Sequence, residues 1–155
     1  MRRIRVYVDT SVFGGIEDEE FSDASRRFFQ RVAEGDYIVL ISEETYRELS
    51  KSPESVRDIL TALPSGSLED VLIESETLEL AAEYIRSGIL GEASRGDALH
   101  VAAATVAGAD LILSWNFKHI VNYNRIRRFN GVNVLLGYRS MTILSPREVG
   151  DESEE

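Results

Sequence analysis

The sequence contains no cysteine, only three prolines, and far fewer basic than acidic residues. The lack of cysteine excludes both a disulfide framework and a thiolate metal site. No apolar stretch reaches the length of a membrane span, and the N-terminus lacks the apolar core of a signal peptide. We therefore expect a soluble, cytoplasmic protein with no membrane partner.

Positive charge is scarce: 17 lysines and arginines stand against 27 aspartates and glutamates, and the net charge is −10. Proteins that bind nucleic acid electrostatically draw affinity from neutralised phosphates, so any nucleic-acid role here must be local. The segment "KHIVNYNRIRRF", residues 118–129, mixes cations with aromatics and is the best candidate for a phosphate-facing surface. Its candidate residues are Lys118, Arg125, Arg127 and Arg128. An ordinary basic helix surface is the alternative.

A length of 155 residues with 43% hydrophobic composition predicts one domain, over residues 1–148. The acidic end, residues 149–155, is expected to be a disordered, solvated tail. Short apolar runs predict strands at 4–8, 37–41, 110–114 and 132–136. Helical patterns cover 22–34, a segment after Ser42, another near Pro53, 77–87, and 97–108 ending at Gly108. This alternation predicts an α/β fold with a parallel sheet whose strands end along one edge.

Asp9 follows the first predicted strand, in the segment "RIRVYVDTSVFGG". Ligands of open α/β sheets bind outside the carboxyl ends of the strands, so Asp9 places a carboxylate at such an edge. Thr10 and Ser11 offer hydroxyls and backbone amides beside it. A helix cap or turn aspartate is the alternative interpretation.

Two further carboxylates are candidates for the same edge. Glu48 lies six residues after Ser42, inside a predicted helix, where most glutamates are merely solvated. Asp97 begins the most apolar helix, where free amides and the helix dipole favour a carboxylate, so capping and catalysis both fit. His100 lies on nearly the same face, and we expect it to support the site from outside the ligand set.

The strand segment "LILSWNFKHI" adds Ser114 and Asn116 at the sheet edge, followed by a predicted helix start. Asn116 has the alternative interpretation of a helix N-cap. Together with Asp9, Glu48 and Asp97, the amide describes an all-oxygen site for a hard divalent cation, Mg²⁺ or Mn²⁺. Clustered carboxylates repel one another, so such a site is unstable without a cation.

Four segments, in order, resemble the motifs of PIN-domain ribonucleases, the class that includes VapC-type toxins of prokaryotic toxin–antitoxin pairs. They are "VYVDTSVFGG", "ISEETYREL", "RGDALHVAAAT" and "LILSWNFKHI", and the resemblance extends over residues 4–145. It implies a three-layer α/β/α sandwich with a central parallel sheet and metal-dependent cleavage of RNA. It also implies a homodimer and, for a toxin, a cognate antitoxin partner.

The resemblance assigns roles residue by residue. The first three acids of the family pattern are matched by Asp9, Glu48 and Asp97, whereas Asn116 stands where an aspartate is usual. We expect Asp9 and Asp97 to be the principal ligands and Glu48 to bind metal or its waters and accept a proton. Asn116 would orient a metal-bound water or the scissile phosphate, and Ser114 would hydrogen-bond a neighbouring ligand.

Two other classes remain open at this point. A strand-end aspartate also serves as the phosphoryl-accepting nucleophile of some phosphatases and receiver domains, although Ser11 occupies the place where haloacid-dehalogenase-like phosphatases carry a second aspartate. The other alternative is a PIN-like module that binds RNA or protein without catalysis, with Asn116 marking a decayed site. The presence of Asp9, Glu48 and Asp97 counts against decay.

Overall fold

A computed structural model of the chain describes residues 2–149. Of the predicted tail, only Val149 is described, and it is buried; residues 150–155 lie outside the described part. Five strands form one parallel sheet in the order β3-β2-β1-β4-β5. The strands are β1 (Ile4–Val8), β2 (Tyr37–Ser42), β3 (Leu68–Val71), β4 (Leu111–Leu113) and β5 (Thr142–Leu144).

Seven α-helices connect the strands within the described residues. They are α1 (Thr10–Gly14), α2 (Ser22–Ala33), α3 (Glu43–Leu49), α4 (Glu54–Ala62), α5 (Ser75–Arg86), α6 (Arg95–Ala107) and α7 (Tyr123–Leu135). The predicted helices at 22–34, after Ser42, near Pro53, over 77–87 and over 97–108 are confirmed. Gly108 ends α6 at φ +69°, a left-handed conformation that glycine adopts without steric cost. Among residues 2–149, no helix is long and apolar enough to span a bilayer.

The sheet is buried on both faces, which explains its continuous apolar strands. Val6 and Val8 of β1 pack with α2 in one core, whereas Tyr7 between them packs with α5 and α6 in the other. Helices therefore cover both faces, and the architecture is the expected α/β/α sandwich. Tyr7 and Arg5 point to the same face of β1, yet Tyr7 is fully buried whereas Arg5 is partly exposed.

The central position of β1 fixes where a site can form. Strands β2 and β3 lie on one side of β1, and β4 and β5 lie on the other. After β1 the chain adds strands outward on one side (β2, then β3) and afterwards on the other side (β4, then β5). Open α/β sheets carry a crevice at the carboxyl ends of the strands where the side changes in this way. Asp9 directly follows β1 at this point.

The predicted strand at 132–136 is wrong: these residues form the last turns and the end of α7. Short apolar runs do not distinguish a strand from a helix, and here the run is largely exposed, with Leu135 83% accessible. The two strands that the sequence did not reveal are β3, whose "LEDV" carries charges, and β5, which is three residues long. The helix expected directly after Asn116 instead begins at Tyr123, with Asn122 as its N-cap.

Candidate metal centre

Asp9 is held at the end of the central strand by both its backbone and its side chain. Its N–H donates to the carbonyl of Leu113 at 3.0 Å, which extends the β1–β4 pairing to the acid itself. Its Oδ2 accepts hydrogen bonds from the hydroxyls of Ser11 at 2.6 Å and Ser114 at 2.8 Å. Ser11 and Ser114, which the sequence suggested as supporting residues, therefore both contact this carboxylate. The other oxygen, Oδ1, faces His100.

Glu48 reaches Asp9 from α3, the helix that follows β2. Thr10 donates its hydroxyl to Oε1 of Glu48 at 2.5 Å, and Nε2 of His100 lies 2.6 Å from the same oxygen. Burial raises the pKa of Glu48, but the hydrogen bond and charge of His100 outweigh it and hold that pKa below the ordinary value. Glu48 is therefore an ionised, partly buried carboxylate.

His100 lies at the centre of a buried chain of polar groups. Its Nδ1 is 2.7 Å from the hydroxyl of Tyr7, which is in turn 2.7 Å from the hydroxyl of Ser42. The imidazole is fully buried. Burial opposes its charge, yet Tyr7 and the carboxylates of Glu48 and Asp9 raise the pKa of His100 well above the usual value. These contacts fix the ring orientation and aim Nε2 at the carboxylates.

Asp9, Glu48 and His100 bring one potential ligand atom each to within 4.8 Å of one another. Two carboxylate oxygens and an imidazole nitrogen form a donor set that suits a divalent transition ion. The sequence placed Asp9 and Glu48 together correctly in space. It did not place His100 among the donor atoms, because a histidine in an apolar helix face is usually a packing residue.

Asp97 lies near the cluster of Asp9, Glu48 and His100 but is not one of the three residues whose ligand atoms lie within 4.8 Å of one another. Its Oδ2 is 2.9 Å from Nδ1 of His119, and His119 also approaches the hydroxyl of Ser94. Burial raises the pKa of Asp97, and the nearby charge of Asp9 adds to that rise while His119 opposes it. The charge of Asp9 acts on Asp97, so the two carboxylates lie near one another. His119 is therefore the partner of an expected ligand, a role that the sequence did not indicate.

Asn116 caps a turn rather than a helix. Its Oδ1 accepts from the N–H of His119 at 2.9 Å, and its own N–H donates to the hydroxyl of Ser114 at 2.9 Å. Ser114 thus connects the backbone of Asn116 to the carboxylate of Asp9. The amide nitrogen of the Asn116 side chain remains as a donor at the rim of the site.

Two of the candidate phosphate-binding arginines make structural contacts. Arg125 donates to the carbonyl of Ile89 at 2.7 Å, and Arg128 donates to the carbonyl of Ser87 at 3.1 Å. Both therefore brace the loop after α5. Lys118 and Arg127 are exposed.

Gly96 reveals one more acidic neighbour of the site. A Cβ at Gly96 would lie 3.1 Å from Oε2 of Glu44 and 3.5 Å from Oε2 of Glu48. Glu44 is 7% exposed and pairs with Arg47, whose guanidinium donates to both of its oxygens. In the sequence, Glu44 is one of two adjacent glutamates directly after Ser42. The pattern carries no signal for its proximity to α6, which depends on tertiary packing.

No protein-family model matches the chain, and a search of curated proteins finds no similar one. Solved structures do resemble it. VapBC2 from Rickettsia felis, bound to a DNA fragment from its promoter, superposes with a TM-score of 0.59 at 16% identity, covering 92% of this chain and 98% of that chain.

Two further structures give the same result. VapC20 from Mycobacterium tuberculosis, described as a sarcin-ricin loop cleaving toxin, has a TM-score of 0.56 at 15% identity, over 74% of this chain and 92% of that one. DNA-bound VapBC from Salmonella typhimurium has a TM-score of 0.54 at 17% identity, over 92% and 98%. At these identities the likeness establishes the fold. The chain has the PIN-domain fold of the VapC toxin structures.

Proposed function

We propose that the protein is a metal-dependent endoribonuclease and the toxin of a toxin–antitoxin pair. The observation that carries this proposal is the meeting of Asp9, Glu48 and His100 within 4.8 Å, at the carboxyl end of the central strand. Asp97 adds a third carboxylate beside them. VapC20, which shares the fold, is described as a sarcin-ricin loop cleaving toxin.

The donor atoms suit a divalent cation. Asp9 and Glu48 would hold it, with His100 as a nitrogen donor once the cation has displaced the proton from Nε2, and with Asp97 as a further carboxylate or a ligand of its waters. An imidazole in the set favours Mn²⁺ over Mg²⁺, although a carboxylate-rich site accepts either. When bound, such a cation makes a water more acidic and polarises a phosphoryl oxygen.

The protein's own side chains position the substrate and move the proton. Glu48 has a pKa below the ordinary carboxylate value, so it is ionised and can accept the proton of an attacking water. Thr10 and His100 hold its Oε1 in a fixed position. Asn116 presents its side-chain N–H groups at the rim, where they can donate to a phosphate oxygen of the substrate.

The phosphotransfer alternative is less well supported by the contacts of Asp9. A nucleophilic aspartate needs an oxygen free to attack a phosphorus atom, whereas Oδ2 of Asp9 accepts two serine hydroxyls and Oδ1 faces His100. The position two residues on is Ser11, a supporting hydroxyl and not an acid.

The activity is tested by cleavage of a mixed RNA pool in Mn²⁺, with and without EDTA. We expect Asp9→Asn and Asp97→Asn to reduce the cleavage rate about 100-fold or more, and EDTA to abolish it. Asp23→Asn is the matched control, because Asp23 is an exposed aspartate on α2. If a folded Asp97→Asn variant cleaved RNA as fast as the Asp23→Asn control, Asp97 would have no part in the site.

The partners follow from the same proposal. We expect an antitoxin encoded beside this chain, since two of the similar structures are VapBC complexes bound to DNA. Co-expression of the chain with the product of a small adjacent reading frame tests this by co-purification and loss of RNA cleavage. We also expect a homodimer, which light scattering of the purified chain will detect as twice the 17.4 kDa chain mass.

A further inference from the structure

Phe117 is an exposed aromatic side chain at the rim of the candidate metal centre. It directly follows Asn116, whose N–H donates to the hydroxyl that binds Asp9. Its exposed fraction is 43%, although a phenylalanine is ordinarily buried. The metal chemistry of the proposed function assigns no role to this ring.

The ring of Phe117 is held in place by two other aromatics. The Phe117 centroid is 6.1 Å from that of Trp115 and 6.2 Å from that of Phe21, while Phe21 and Trp115 stack at 4.1 Å. Trp115 is anchored by its indole N–H, which donates to the hydroxyl of Ser25 at 2.8 Å. We call these three rings the aromatic rim. It presents a fixed ring to solvent, so little conformational entropy is lost when a flat ligand stacks on it.

Cations lie on and beside the aromatic rim. The guanidinium of Arg147 lies 5.4 Å from the Trp115 ring centre and 5.5 Å from that of Phe21. Its side chain is 50% exposed, and its nearest carboxylate, that of Glu20, is 3.8 Å away. Lys118, the residue after Phe117, is exposed. Two cations therefore lie at this rim in a chain of net charge −10, next to the exposed acids Asp18, Glu19 and Glu20 that precede Phe21.

An exposed ring with cations nearby is a combination that binds single-stranded nucleic acid, because every base has a π-face and every linkage carries a negative charge. We propose that Phe117 stacks an unpaired nucleobase next to the scissile phosphate, while Lys118 and Arg147 contact the flanking phosphates of a single-stranded RNA segment. This inference rests on the proposed function and deepens it. It also moves the expected RNA contacts from the α7 arginines to the aromatic rim.

The test measures binding apart from cleavage, in EDTA, with a short unstructured RNA that carries one 2-aminopurine. We expect Phe117→Leu to weaken binding of this RNA about 5- to 150-fold and to remove the quenching of 2-aminopurine by stacking. Phe117→Trp should retain both the RNA affinity and the quenching, because tryptophan keeps an aromatic face for stacking. Leucine keeps the apolar bulk but has no such face. RNA duplex of the same sequence, which has no unpaired base, should bind equally to all variants.

Tyr46→Leu is the control, since Tyr46 is a comparably exposed aromatic at 46% and its hydroxyl bonds to Asp70 on the outer strand β3. Unchanged RNA affinity in Phe117→Leu would overturn the inference, as would a wild-type protein that binds no single-stranded RNA. If Phe117→Leu no longer bound a co-expressed protein partner while its RNA binding stayed unchanged, the inference would also be overturned, and the aromatic rim would be identified as a protein interface.

The same measurements separate the two proposals. A wild-type protein that quenches 2-aminopurine but cleaves nothing in Mn²⁺ would contradict the proposed function and leave the inference standing. Cleavage in Mn²⁺ together with unchanged binding by Phe117→Leu would support the function and contradict the inference.

Discussion

Nε2 of His100 lies 2.6 Å from Oε1 of Glu48, so a helix whose side chains are mostly buried makes a close polar contact with an acid of the candidate site. The contact links α6 to α3 across the carboxyl end of the sheet. The imidazole nitrogen therefore lies among the potential metal ligands, together with the carboxylate oxygens of Asp9 and Glu48.

Replacing His100 should weaken metal binding more than it weakens the fold. We expect His100→Leu to reduce Mn²⁺ affinity about 10- to 100-fold in titration calorimetry, because Glu48 loses the group that orients its oxygen. Thr105→Val is the control for loss of a buried polar group on the same helix. Equal Mn²⁺ affinities in the two variants would mean that the imidazole of His100 takes no part in metal binding.

The two glycines after β1 should respond differently to alanine. A Cβ at Gly15 would lie 2.7 Å from both Ser25 Oγ and Trp115 Nε1, whereas a Cβ at Gly14 would meet nothing within 4 Å. We expect Gly15→Ala to destabilise by about 1–3 kcal/mol, and Gly14→Ala to be neutral or to stabilise by up to about 1 kcal/mol. Urea unfolding of both variants measures the difference. Equal midpoints would mean that the indole can shift without cost.

Asp110 should contribute to stability in a pH-dependent way. It accepts from the N–H of Arg5 at 2.8 Å and from the side chain of Arg2 at 2.5 Å. Burial acts to raise the pKa of Asp110, but these bonds and the arginine charges lower it below the ordinary value. Since the folded pKa is the lower one, the stabilisation is complete above the unfolded pKa of about 3.9 and is lost as pH falls through the folded pKa.

Asp110→Asn should therefore unfold more easily than wild type at pH 7, by about 1 kcal/mol. The difference in melting temperature should disappear as the solution is acidified below about pH 4. Asp58→Asn is the control and should stay close to the wild-type curve throughout, because Asp58 is an exposed aspartate in the middle of α4, away from the helix start. A constant difference across the whole pH range would mean that the charge of Asp110 does not matter.

Asn116→Asp tests the residue at which the chain departs from the family pattern. The new carboxylate would still accept from His119, which also contacts Asp97, so it adds negative charge close to the existing acids. We expect a lower melting temperature in EDTA and tighter Mn²⁺ binding by calorimetry, because a cation relieves the repulsion. Unchanged Mn²⁺ affinity would leave Asn116 with its turn-capping role alone.

Local pattern was sufficient for the strands that carry the site but not for the edges of the sheet. β2 is apolar as far as Ile41 and β1 is apolar except for Arg5, as a sheet covered on both faces favours, and both were predicted to within a residue. β3 carries Glu69 and Asp70 at the outer edge, so its composition does not resemble that of a buried strand. The run at 132–136 was assigned to a strand because apolarity alone does not reveal helical period over five residues.

For the site, the sequence identified positions but not contacts. Strand ends predict where Asp9 and Ser114 lie, because topology alone brings them to one edge. The contact between His100 and Glu48 depends on the angle at which α6 packs against α3, and no residue spacing reports that angle. The same holds for His119, which reaches Asp97 only because the turn capped by Asn116 directs it there.

The hydrogen bond from Ser114 to Asp9 joins residues 105 positions apart, and this separation affects when the site can exist during protein synthesis. At roughly 5–20 residues per second, a ribosome adds Ser114 about 5–20 s after Asp9. Until β4 has emerged and paired with β1, the carboxylate of Asp9 lacks the serine hydroxyl and the strand that position it. A site built in this way stays unassembled while most of its own chain is being translated.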